Sequence, residues 1–178
     1  MTTYVAMLRG INVSGRNKLS MEDLRAIVAA AGAKDVRTYI QSGNAVFTSR
    51  RSPATLVEAV ENDLEIALGS KVAVLVRTKE ELEAVIGANP FVERGEDPKV
   101  LHVTFMGGIP DGKALESVKG KRADADEFQV VGRQVYLFCP NGYGTTKLTN
   151  TFFEKKFGSP ATTRNWTTVT KLVALAQA

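Results

Sequence analysis

Three polar stretches of this chain carry residue types that could hold an anion. The first, Gly10-Ile11-Asn12-Val13-Ser14-Gly15-Arg16-Asn17-Lys18, stands between a short apolar run and a segment of helical spacing. Backbone N–H groups and the positive end of a helix hold anions at such a junction, and Arg9, Arg16 and Lys18 add charge. The second, Asn141-Gly142-Tyr143-Gly144-Thr145-Thr146-Lys147, repeats the arrangement and ends on Lys147. Neither matches the Walker A phosphate loop of nucleoside triphosphatases or the dinucleotide fingerprint, so no nucleotide class follows. The plainer alternatives are a strand-to-helix turn for the first and a turn capped by Thr146 for the second. The third, Thr162-Thr163-Arg164-Asn165-Trp166-Thr167-Thr168, holds the only Trp and could stack a base and pair a phosphate. There Trp166 reads as core and Arg164 as functional, with Asn165 able to cap the last helix. Arg9, Lys18 and Arg164 are expected to approach one surface.

Other chemistry is sparse. The single histidine, His102, alternates with Val103 and Phe105 and, like Thr104, is expected to face away from the apolar set. Cys139, the only cysteine, ends an apolar strand and reads as buried rather than nucleophilic. Asp124, Asp126 and Glu127 could attract a divalent cation, but a solvated loop explains them more simply. No triad, metal signature or cofactor motif is present in the sequence, and no metal site or cofactor is expected.

A chain of 178 residues with 44% hydrophobic and 24% charged side chains can bury a real core and is not of disordered composition. No apolar run reaches the roughly 20 residues of a bilayer span, so no membrane partner is expected, and the lone cysteine points to a reducing cytoplasm. The net charge of +4 is unevenly spread. Residues 1–51 carry eight Lys or Arg against three Asp or Glu, residues 52–140 ten against fifteen, and residues 141–178 five against one. Two basic ends around an acidic centre suit an anionic partner.

The elements that must position these residues follow from periodicity. Residues 3–9 make a strand; Ser20 opens a helix in which Met21, Leu24, Ile27, Val28 and Ala31 recur at helical spacing to Gly32. Segments 36–40 and 45–48 flank Gln41-Ser42-Gly43-Asn44, a tight hairpin turn. Ser52 and Pro53 start a helix whose stripe of Leu56, Val57, Val60, Leu64 and Leu68 closes at Gly69, and 71–77 is the next strand. Thr78 with Glu81 makes a capping box for a connector helix ending before Asn89-Pro90. A strand at 100–106, a helix at 112–120, a hairpin (128–131 and 134–139, turning at Gly132-Arg133) and a helix at 148–157 repeat the order. The second half lacks an obvious closing strand, since 161–165 is short and polar and 166–176 reads as a helix. The expected class is α+β, two tandem ferredoxin-like βαββαβ halves plus a C-terminal helix, with the first half at 1–78 and the connector and second half at 79–178.

The chain resembles the bacterial family called domain of unknown function 1697, through Leu8-Arg9-Gly10-Ile11-Asn12-Val13, Thr38-Tyr39-Ile40-Gln41-Ser42-Gly43-Asn44, Asn89-Pro90 and Thr162-Thr163-Arg164-Asn165-Trp166. The resemblance implies two ferredoxin-like halves and no activity. Ser14 stands where the family more often shows Gly, which makes the first loop less able to wrap a ligand.

The leading functional expectation is binding of a phosphate-bearing ligand, nucleic acid or a phosphorylated small molecule, by Arg9, Asn12, Gly15, Arg16, Lys18, Gln41, Asn44, Lys147, Arg164 and Asn165. A small enzyme acting on an anionic metabolite, with Asn12, Gln41 or Asn44 orienting it, and a structural or protein-interaction module are the alternatives.

Overall fold

A computed structural model describes residues 1–121 and 124–178. Two compact units emerge, Met1–Glu83 with Lys171–Ala178, and Ala84–Thr170. The first contains β1 (Thr2–Leu8), α1 (Met21–Ala30), β2 (Lys34–Thr38), β3 (Asn44–Ser49), α2 (Pro53–Leu68) and β4 (Val74–Thr78), after which α3 (Lys79–Gly87) begins. In the second, α4 (Pro90–Glu93), β5 (Leu101–Met106), α5 (Gly112–Val118), β6 (Glu127–Val131), β7 (Gln134–Phe138), α6 (Asn150–Phe157) and β8 (Ala161–Asn165) precede α7 (Trp166–Gln177).

Each unit holds a four-stranded antiparallel sheet, in the orders β2-β3-β1-β4 and β6-β7-β5-β8. In the first, Tyr4, Ala6, Leu8, Ala45, Phe47, Val74 and Val76 pack under Leu24 and Val28 of α1 and Leu56, Val60 and Leu64 of α2. The helix starts follow their caps. Ser20 accepts from the Asp23 N–H (3.0 Å), Ser52 from Thr55 (3.2 Å), and Gly69 closes α2 at a φ of 71°. Thr78 and Glu81 bond reciprocally, Thr78 N–H to Glu81 Oε2 at 2.8 Å and Glu81 N–H to Thr78 Oγ1 at 3.1 Å.

The second sheet does have a closing strand. β8 pairs with β5 from Met106↔Ala161 to His102↔Asn165. Its sequence conceals it because its lateral contacts are polar: the Thr104 and Thr163 hydroxyls lie 2.7 Å apart, and Thr163 donates to Asn150 Oδ1 at 2.6 Å. Thr104 faces away from Leu101, Val103 and Phe105, as alternation requires, yet it is not solvated. Thr104 is fully buried and stands opposite the core residue Val135, while Leu101, Val103 and Phe105 on the other face are buried too. Met106, on the Thr104 face, belongs to the cluster of Val135, Leu137 and Phe153, so that face is packed as well. The helix expected from Leu148 begins at Asn150, because Thr149 supplies the cap, accepting from Phe152 N–H at 3.1 Å.

Register exposes a likeness between the units at single residues. Val5 stands opposite Arg77, and Val103 opposite Arg164, so the last strand of each sheet buries one arginine beside a valine of the first. Both last strands run directly into a capped helix, at Thr78 and at Asn165, whose Oδ1 accepts from Thr168 N–H at 2.8 Å.

Candidate functional site

In the first unit, the loop after β1 and the turn between β2 and β3 meet, and Asn12 is the clasp. Its Nδ2 donates to the carbonyls of Leu19 (2.9 Å) and Gln41 (2.8 Å), and its Oδ1 accepts from Leu19 N–H (2.9 Å). Asn17 repeats the device, donating to Gly10 O at 3.1 Å and accepting from Ser70 Oγ at 2.7 Å. A Val13–Arg16 bridge narrows the tip. Such bracing requires left-handed backbone at Gly10, Asn12, Ser14, Gly15 and Asn17. Asparagine enters that region at low cost, whereas Ser14, at a φ of 50°, does so against a penalty of roughly 1–2 kcal/mol.

The turn is held as firmly. Leu8 N–H donates to Gly43 O at 2.9 Å, and a Cβ on Gly43 (φ 87°) would lie 2.6 Å from Ile11 Cδ1. Only glycine permits this approach. Asn44, fully buried, donates through Nδ2 to Tyr39 O (2.9 Å) and Ser42 Oγ (3.1 Å). Two of the candidates, Asn12 and Asn44, therefore spend their amides on holding the backbone. Gly15, Arg16, Lys18 and Gln41 are exposed at the surface so formed, and Arg9 is half-buried at its base, its N–H bonded to Ala73 O at 2.9 Å.

The three candidates of the second unit are dispersed in role. Lys147 is exposed and faces Asp124 at 3.7 Å. Thr146 is a brace rather than a helix cap: it donates to the buried Asp126 Oδ2 at 2.5 Å and accepts from Leu148 N–H at 3.1 Å. Asn165 caps α7 and Trp166 is buried. Arg164 lies inside, donating to Thr162 Oγ1 (2.7 Å) and Thr163 O (3.0 Å), and burial pulls its guanidinium down to about 10. Arg77, which sequence reasoning passed over, is the equally buried counterpart in the first unit. Its signal is visible only in register, not in spacing.

His102 stacks on Tyr143, ring centroids 4.7 Å apart, and burial lowers its pKa. Cys139 is fully buried; burial, reinforced by Asp126, pushes its thiol up to about 11. It is thus protonated at neutral pH and a poor nucleophile. No group of three or more His, Cys, Asp or Glu placed to hold a metal occurs among the described residues, and no helix among them is long and apolar enough to cross a membrane.

A family model described as a protein of unknown function, DUF1697, matches residues 1–136. The chain is also similar to a solved structure described as the conserved bacterial protein SP0830 from Streptococcus pneumoniae: 26% identity, a TM-score of 0.81, and coverage of 100% of this chain and 99% of that one. No curated protein matches.

Proposed function

Since this chain belongs to the DUF1697 family, whose description assigns no activity, we propose from its geometry that the first unit binds a phosphate-bearing ligand, nucleic acid or nucleotide, across loop 10–18 and turn 41–44. The observation that carries this is the Asn12 clasp between Leu19 and Gln41. It joins two segments free of carboxylates: no Asp or Glu precedes Glu22, and none lies between Asp35 and Glu58. Arg9, Arg16 and Lys18 supply the positive charge in this reading, Arg16 and Lys18 from exposed positions, and a pre-braced loop loses little entropy on binding. Gln41 supplies an orienting amide. Arg164 in this reading is an internal structural cation, since desolvation bars it from a solvated phosphate.

Strand orders β2-β3-β1-β4 and β6-β7-β5-β8, each with two crossover helices, support tandem ferredoxin-like halves as part of the same reading. A cytoplasmic setting belongs to the same reading, supported by a single, buried, unbridged cysteine.

The test is a thermal-shift panel of inorganic phosphate, mononucleotides and single-stranded oligonucleotides, since a ligand of the folded state raises Tm. A saturable rise, lost in folded R16A/K18A protein, supports the site. The same rise in wild type and variant would move the ligand elsewhere.

A further inference from the structure

We propose that the outer edge of β6 is a docking strand for an extended, acidic peptide segment of a partner protein. β6 is a terminal strand of its sheet and pairs only with β7 among the described strands. The two-residue turn Gly132-Arg133 is closed by the Val131↔Gln134 pair, which in such hairpins exchanges hydrogen bonds. By alternation, Phe128 and Val130 point their N–H and C=O groups away from β7. Their side chains meanwhile pack partly against the core of the unit, so the edge is anchored and regular.

Beside this edge runs a cleft of about 520 Å³ between β6 and α5, lined on its apolar side by Phe91, Leu115, Val118 and Phe128. A peptide paired with β6 would send alternate side chains into it, the geometry of strand addition. At one end Lys119 stands 3.4 Å from Glu116, while Lys121 adjoins Lys156, whose side chain lowers its pKa, so this end keeps a surplus of positive charge. At the other end Arg94 is already matched, 2.7 Å from both Glu96 and Glu127. Charge complementarity therefore favours a carboxylate at the lysine end.

The outer strand of the first sheet shows what a guarded edge looks like. β2 reads Lys-Asp-Val-Arg-Thr, is irregular between Lys34 and Arg37, turns left-handed at Asp35, and has Arg37 bonded to Leu175 O at 2.8 Å. Charges and bulges of this kind are how proteins prevent strand addition. β6, Glu-Phe-Gln-Val-Val, pairs in unbroken register with no such irregularity.

The test uses two fluorescein-labelled octapeptides of alternating Thr and Val, one ending in Glu-Glu and one in Lys-Lys, followed by anisotropy. Wild type should prefer the acidic peptide, Val130→Pro should weaken it at least about tenfold by removing one outward N–H, and K119E/K121E should transfer preference to the basic peptide. Val130→Pro removes no β7 bond, and circular dichroism checks its fold; K119E/K121E leaves the strand edge intact, changing exposed charge and the Lys119–Glu116 contact, and tests the same claim independently. Equal binding of both peptides, no binding by wild type, or unaltered binding by both variants would overturn the proposal. So would concentration-dependent dimerisation in sedimentation that Val130→Pro abolishes, which would assign the edge to a second copy.

Discussion

The two glycine-rich loops occupy comparable settings, each ahead of a helix, yet they are built on different physics. Loop 10–18 is cross-braced by asparagine amides and packed against turn 41–44, where Gly43 touches Ile11 and Leu8. Loop 141–147 is instead tied through side chains, Thr146 to Asp126, Lys147 to Asp124 and the Tyr143 ring to His102, and around Gly142 (φ 93°) nothing lies within 4 Å of a would-be Cβ. The difference teaches that a glycine pattern alone does not define a cradle. What matters is whether the glycine is required by close approach or by backbone angle only.

The largest expected effect breaks that comparison directly. Gly43→Ala suffers both left-handed strain and overlap with Ile11, about 2–4 kcal/mol in urea unfolding. Gly142→Ala suffers the strain alone, about 1–2 kcal/mol. Equal losses would show that the contact of Gly43 with Ile11 carries no weight.

A smaller effect sharpens the contrast between the closing strands. β4 is held by buried Val74, Leu75 and Val76, whereas β8 relies on hydroxyls. Thr163→Val keeps the shape but leaves the buried Thr104 hydroxyl and Asn150 Oδ1 without this partner, for roughly 1–3 kcal/mol. A variant as stable as wild type would show that β8 needs no polar ladder.

Sequence made much of the first half legible, because its elements are written in caps and apolar stripes: Ser20, Ser52 with Pro53, Gly69, and the reciprocal Thr78–Glu81 pair. β8 was not legible, since the buried Thr162 and Arg164 and the half-buried Thr163 are held by sheet pairing and polar contacts rather than by apolar character. At the site, the motifs containing Asn12 and Asn44 were visible, but not the direction of their amides. Asparagine that faces a ligand and asparagine that braces left-handed backbone share one letter, and only the partners Leu19, Gln41 and Tyr39 separate them.

The smallest expected effect concerns pH. His102 takes the place in the second sheet that Tyr4 holds in the first, opposite the capping residues Asn165 and Thr78. Burial depresses its folded-state pKa below the ordinary 6.5, so the unfolded chain binds the proton more readily. The contribution of His102 is intact above pH 6.5 and is lost as pH falls from there through the folded-state value. His102→Phe should flatten this acid-side slope in denaturant midpoints; an unchanged slope would place the titration elsewhere.

The central claim, that the clasped loop of the first unit meets the phosphates, is tested most directly by backbone chemical-shift mapping with a single-stranded oligonucleotide. Saturable shifts should fall on residues 13–18 and 41–43, with loop 141–147 unmoved. Shifts confined to 141–147, or none in either loop at saturating ligand, would contradict it.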